Sequence, residues 1–338
     1  MSGAQWPRRL PAALTRRNLT PITTLQGRLC DEAAMSRGQI RIRGAILAAL
    51  AAVFALAGCA SLDAQPRPDM VMGAPSPVSP TQSDWVADTL EQCSRIARPM
   101  LRREEVIAYA GAMQRALAAR HVDVALVFEQ SGAPRWIMPP NVQYGHGAIF
   151  IRQPDSPSGE PRYLTYNLLP GYGRGVPCGR SSLVTWPVEN FDRAVTALDQ
   201  AVIVPTPALQ ARIRAIVGSP VYARVHNPAF SIIANPLDER FQNCAGLMLH
   251  VLVAAAWNVT DHEAVNLILR EKFQPSRIDA NAAVRLLGPL ASSRLAAGDQ
   301  DWTVSTASFE SIDVFMRQNG LSQETFIFYF DPRPADER

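Results

Sequence analysis

Apolar residues recur at helical spacing over 103–120, where Val106, Ala110, Met113 and Leu117 form one stripe. A shorter helix is expected before it, over 84–97. "VDVALVFE" (122–129) reads as a strand. "GAIFIR" (147–152) and "RYLTYNLL" (162–169) read as two more. The turn-forming "QPDSPSGEP" between them predicts an antiparallel hairpin. "ENFDRAVTALDQ" (189–200) has a helical pattern and "AVIVP" (201–205) a strand-like one. In "TPALQARIRAIVG" (206–218), Thr206 stands at an N-cap, Pro207 at the first helical position and Gly218 at the end. An irregular stretch, "VHNPAFSIIANPLDE", precedes a helix over about 241–256. Ala245 to Trp257 is apolar on nearly every face, so this helix should be buried centrally. Further helices are expected near 261–273, with a Thr260–Glu263 capping box, and near 280–296 and 308–318. "TFIFYF" (325–330) is a late strand. Helices segregated from a small antiparallel sheet indicate an α+β fold, the sheet packed on the buried helix with several helices around it.

Net charge alters the picture only at the N-terminus. The formal charge is +3, but residues 1–58 hold eight arginines and two acids, and the remainder carries 25 basic against 28 acidic residues. A mildly acidic body leaves no electrostatic footprint for nucleic acid. Arg37, Arg41 and Arg43 precede an apolar run from Gly44 to Ala57, too short to span a bilayer comfortably. The run ends in "LAGC", which resembles a lipobox. That resemblance implies a signal peptide over 35–58, cleavage before Cys59 and lipidation of Cys59. Ala60 after the lipidated position implies the outer membrane, facing the periplasm. Residues 1–34 then read as an over-extended or disordered leader. Five prolines in 59–84 read as an extended tether, and 85–332 as one domain.

Export changes the cysteine arithmetic. With Cys30 in the leader and Cys59 lipidated, Cys93, Cys178 and Cys244 remain, and an odd count suggests one disulfide plus one free thiol in any of three pairings. Cys244 lies at the head of the buried helix, next to Asn243 at the N-cap position. Free backbone N–H groups and the helix dipole there lower a thiol pKa, although a small apolar filler would occupy the same place. A thiol nucleophile needs a base. His262 reads as surface, His250 as core and His121 as a helix end, while His226 lies in a loop. His146 opens a strand between Gly145 and Gly147, which would let another backbone or a substrate approach closely. Alternation puts His146, Ala148 and Phe150 on one face and groups Tyr163, Thr165 and Asn167 on the partner strand. Asn167 or Thr165 could orient the imidazole.

A histidine opening a short strand, a hairpin partner bearing a polar residue and a cysteine heading a buried helix together resemble the circularly permuted papain-like fold. That group includes permuted relatives of NlpC-type cell-wall peptidases and the lecithin:retinol acyltransferase-like thiol enzymes. The run "GHGAIFIR", "YNLLPGYG", "PALQARI", "HNPAFSIIANP" and "RFQNCAGLMLHVL" also resembles a bacterial exported family of unknown function. The resemblance implies Cys244 as nucleophile, His146 as base and Asn167 as orienting residue. If Cys244 is thus the free thiol, Cys93 and Cys178 are left to pair. "GYGRGVPCG" (171–179) lacks the spacing of a dinucleotide loop, and neither C-x-x-C nor H-E-x-x-H occurs, so no cofactor or metal is expected. Two functions compete: a lipid-anchored thiol hydrolase or acyltransferase acting on peptidoglycan peptide or lipid, and a binding or structural envelope lipoprotein without turnover.

Overall fold

The computed structural model describes Cys93 and residues 100–130, 139–173, 175–193, 195–279 and 294–331. The expected leader, signal peptide with Cys59 and tether lie outside the described residues. So do the expected helix at 84–97, apart from Cys93, and most of the one at 280–296.

The chain builds a six-stranded, wholly antiparallel sheet in the order β4-β3-β2-β1-β5-β8. Its strands are β1 (Val124–Gln130), β2 (Tyr144–Gln153), β3 (Arg162–Pro170), β4 (Ser181–Pro187), β5 (Asp199–Pro205) and β8 (Ser322–Tyr329). A separate two-stranded ribbon pairs β6 (Ser276–Ile278) with β7 (Val304–Thr306). Seven helices occur among the described residues: α1 (Arg103–Ala119), α2 (Val188–Asp192), α3 (Pro207–Val217), α4 (Pro220–Arg224), α5 (Cys244–Trp257), α6 (His262–Lys272) and α7 (Phe309–Gln318).

Side-chain alternation divides the core between the two faces of the sheet. On one face Ala125, Val127, Ala148, Phe150, Val202 and Val204 pack against Met113 and Leu117 of α1 and Val188 and Phe191 of α2. On the other, Leu126, Phe128, Ile149, Ile151, Leu168 and Ile203 meet α3, α5, α6 and α7. Helix α5 is buried from Cys244 through Ala255, as an all-apolar helix must be. Gly147 on β2 faces it. A Cβ there would lie 2.8 Å from Phe128 and 2.9 Å from Met248, so the missing side chain is what lets α5 seat on the sheet.

Several local expectations change. The sheet is larger than expected because "SSLVTWP" forms β4, burying Val184 and Trp186 on alternate positions. Helical pattern over 189–200 yields only one turn, α2. Asp199 and Gln200 are drawn into β5 by pairing with β1 and β8, which overrides local propensity. Thr206 makes no side-chain cap to α3. At α6 the N-cap is Asp261, whose Oδ1 accepts from Ala264 N at 2.8 Å, rather than Thr260. Cys93 and Cys178 form a disulfide across 85 residues, and Gly171, at φ +64°, leaves the space that the Cys93 sulfur fills.

Candidate functional site

The head of α5 is fixed from three sides. Asn243, in extended backbone, caps the helix by accepting from Gly246 N at 2.8 Å. Its Nδ2 donates to Ile232 O at 3.2 Å and to Thr306 Oγ1 at 3.3 Å. This places Cys244 in the first turn, with only 9% of its surface exposed, and it is the free cysteine among the described residues.

His146 reaches it from β2. The β1–β2 ladder pairs Glu129 with His146 but Gln130 with Tyr144, so Gly145 is an extra, bulged residue. The bulge turns Tyr144 into the α5 core and bends the start of β2. The imidazole Nδ1 then lies 3.3 Å from Cys244 Sγ, and the Gly145 carbonyl lies 3.6 Å from the same sulfur. Phe191 of α2 holds the ring from behind, stacked at 5.3 Å with the planes 23° apart. The helix layer on one side of the sheet thus supplies the sulfur, and the strand supplies the imidazole at the sheet's end.

Electrostatics favour the ionised pair. Burial pushes the Cys244 thiol up, but the His146 charge, its hydrogen bond and the Gly147 and Ala245 backbone N–H groups outweigh this, and the pKa falls. Burial likewise opposes the imidazolium. The Cys244 charge and hydrogen bond, joined by Glu129, prevail and raise His146 to about 9.

Asn167 is buried but does not contact His146. Its Nδ2 donates to Thr165 Oγ1 at 2.7 Å, and Thr165 Oγ1 donates to Trp186 O at 3.2 Å. Asn167 Oδ1 is buried without a partner. The register explains the miss: β2–β3 pairing ends at Ile149 opposite Tyr166, short of His146. The neighbour of His146 is on the other side, where Glu129 of β1 sits directly across. Glu129 is 5% exposed. Burial raises its carboxyl to about 7 against the opposing pull of His146 and Gln200. Gln200 Nε2 bridges Glu129 Oε1 at 3.4 Å and Asp192 Oδ1 at 2.7 Å. Asp192 is fully buried, and burial together with the Glu129 charge raises its pKa well above the carboxylate range. One signal in the sequence pointed here. "VDVALVFE" ends an apolar strand on a carboxylate that shares a face with Ala125 and Val127.

His226, His250 and His262 gather elsewhere, while His121 is exposed beyond the end of α1. His250 and His262 meet ring to ring at 4.6 Å, and His226 Nε2 lies 3.0 Å from Ser181 Oγ. His262 is therefore half-buried against α5 rather than on the surface. Among the described residues, no group of three or more His, Cys, Asp or Glu could hold a metal ion. No single helix among them is long and apolar enough to cross a membrane.

A family model described as "Uncharacterized protein conserved in bacteria (DUF2145)" matches residues 116–316, which include Glu129, His146 and Cys244. No curated protein and no solved structure matches the chain.

Proposed function

The chain belongs to the DUF2145 family of proteins conserved in bacteria, and we propose that it is a thiol hydrolase or acyltransferase acting on an amide or ester. The observation that carries this reading is the 3.3 Å contact between His146 Nδ1 and the sulfur at the head of α5. The Cys244 thiolate adds to the substrate carbonyl, and the positive end of the α5 dipole favours the developing oxyanion. The tetrahedral adduct collapses and breaks the bond to the amine or alkoxide, which takes the proton from the His146 imidazolium. A thioester remains. Neutral His146 then draws a proton from water, or from an acceptor alcohol or amine, as that nucleophile attacks the thioester. The acid or the transferred acyl product leaves and the thiolate is restored. Glu129 acts as the positioning residue, its charge favouring the imidazolium, in the role first expected of Asn167.

The finer reading is a circularly permuted papain-like fold. Its supports are the chain order, with His146 ahead of Cys244, and a cysteine-headed buried helix against an antiparallel sheet. The lipobox-like "LAGC" supports an envelope site, anchored through Cys59 and facing the periplasm, where peptidoglycan peptide or a lipid acyl group is the substrate. A non-catalytic binding lipoprotein is the second reading, favoured by the small exposure of Cys244.

Labelling separates the two. The unreduced full-length protein is treated with iodoacetamide from pH 5 to 9, and each cysteine is read by mass spectrometry. The hydrolase reading expects rapid modification of Cys244 at pH 6, slowed about tenfold or more by His146→Ala, since each unit of thiol pKa is about tenfold in thiolate at that pH. A Cys244 silent until denaturation would overturn it in favour of the binding protein.

A further inference from the structure

Arg294 is a half-buried cation with no assigned task. Its Nε is buried without a partner, and no carboxylate among the described residues forms an ion pair with it. Burial disfavours the guanidinium, and the charged group that acts on it is Cys244. A guanidinium nitrogen buried without a partner carries a desolvation cost that a bound acceptor would relieve.

Hydrogen bonds tie Arg294 to the head of α5. Its carbonyl accepts from Ile232 N at 3.1 Å, and the Ile232 carbonyl accepts from Asn243 Nδ2 at 3.2 Å. Asn243 is the cap next to Cys244. Around this link, Ser231 Oγ donates to Ala296 O at 2.7 Å and Asn235 N donates to Asp299 Oδ2 at 2.7 Å. The segment carrying Arg294 is therefore stitched to the same loop that positions the nucleophile. This cation attracts the Cys244 thiolate while working against the His146 imidazolium.

We infer that Arg294 is a specificity residue that receives a carboxylate of the substrate, so that the acyl compounds taken by Cys244 carry a free carboxylate near the reacting carbonyl. A guanidinium offers the fork geometry that carboxylates fit, and a carboxylate is the anion that peptide-derived acyl substrates themselves bear. The inference rests on Cys244 being the reactive thiol proposed above.

Two alkylating reagents of nearly equal size test it, iodoacetate and iodoacetamide, which differ in one carboxylate. In the unreduced full-length protein at pH 7 and fixed ionic strength, the ratio of their rates at Cys244 is compared with the ratio for a short cysteine peptide. The expected ratio is about tenfold higher in the protein, the size of one charge-assisted hydrogen bond. It should fall to the peptide value in Arg294→Gln, be partly retained in Arg294→Lys and be unchanged in Arg240→Gln, whose side chain is exposed. Protection of wild-type Cys244 by acetate but not by acetamide checks the same point without any variant. A wild-type ratio equal to that of the peptide, or one unchanged in Arg294→Gln, overturns the carboxylate assignment and leaves the thiol chemistry standing. A Cys244 that resists both reagents overturns the thiol reading, and this inference falls with it.

Discussion

Cys244 and His146 illustrate how two weak residue-scale signals become one strong one. A cysteine at a helix head is often filler, and a histidine at a strand start is often a simple hydrogen-bonding residue. At 3.3 Å the two side chains are in contact, and each one's charge offsets the burial that opposes the other's, favouring the ionised pair. Glu129 belongs to the same unit. Ionised, it raises the His146 pKa, so removing its charge should lower that pKa. Glu129→Gln is expected to move the His146 titration, followed by NMR, down from about 9 by roughly one unit, the range for a nearby like-buried charge. The imidazolium would then be lost earlier as pH rises, closing the active range at its alkaline end. Asn167→Ala should leave the titration in place. A shift with Asn167→Ala and none with Glu129→Gln would return the orienting role to Asn167.

At the scale of elements, the decisive contact is α5 on β2. Gly147 packs against α5, and its hydrogen atom occupies space that a methyl group cannot share with Phe128 and Met248. Gly147→Ala should therefore push α5 outward and widen the sulfur–imidazole gap. A loss of about 1–3 kcal/mol in urea denaturation is expected, the usual cost of overpacking. Cys244 alkylation at pH 6 should slow at the same time. Unchanged stability together with unchanged alkylation would show that the helix does not depend on this contact. The bulge at Gly145 complements it by bending the strand so that the imidazole reaches a sulfur supplied from the opposite layer.

For the whole molecule, the acid response follows from buried histidines. Burial depresses His250 to about 3 and His226 to about 4, and lowers His262 as well. The folded state holds these rings neutral, while the unfolded chain takes up protons below about pH 6.5. Their stabilising contribution is complete above that pH and is lost as pH falls towards 4. His146, Glu129 and Asp192 are raised and act in the opposite sense, so the clean measurement is a difference. Between pH 7 and 5, His250→Gln should flatten the pH dependence of unfolding free energy by about 2 kcal/mol relative to wild type, 1.4 kcal/mol per unit over the relevant 1.5 units. Identical slopes would remove His250 from the acid response. The Cys93–Cys178 bridge closes a loop of 85 residues around the first half of the sheet, constraining the unfolded chain.

Much of this protein was legible in its sequence. The burial of α5 follows from apolar residues on all its faces, and α1, α3 and α7 lie within a residue or two of their expected positions. Cys244 and His146 were legible too, because a helix head and a glycine-flanked strand start are local features. Strand β4, the truncation of the helix expected at 189–200, and the partner of the imidazole were not. Each depends on which strands lie side by side, and pairing joins residues distant in the chain through hydrogen bonds whose register no local pattern records. Glu129 stands opposite His146 only because β1, rather than β3, flanks the start of β2. Local chemistry, set by neighbours along the chain, singled out the cysteine and the histidine; long-range pairing, set by burial of both sheet faces, decided which carboxylate stands beside them.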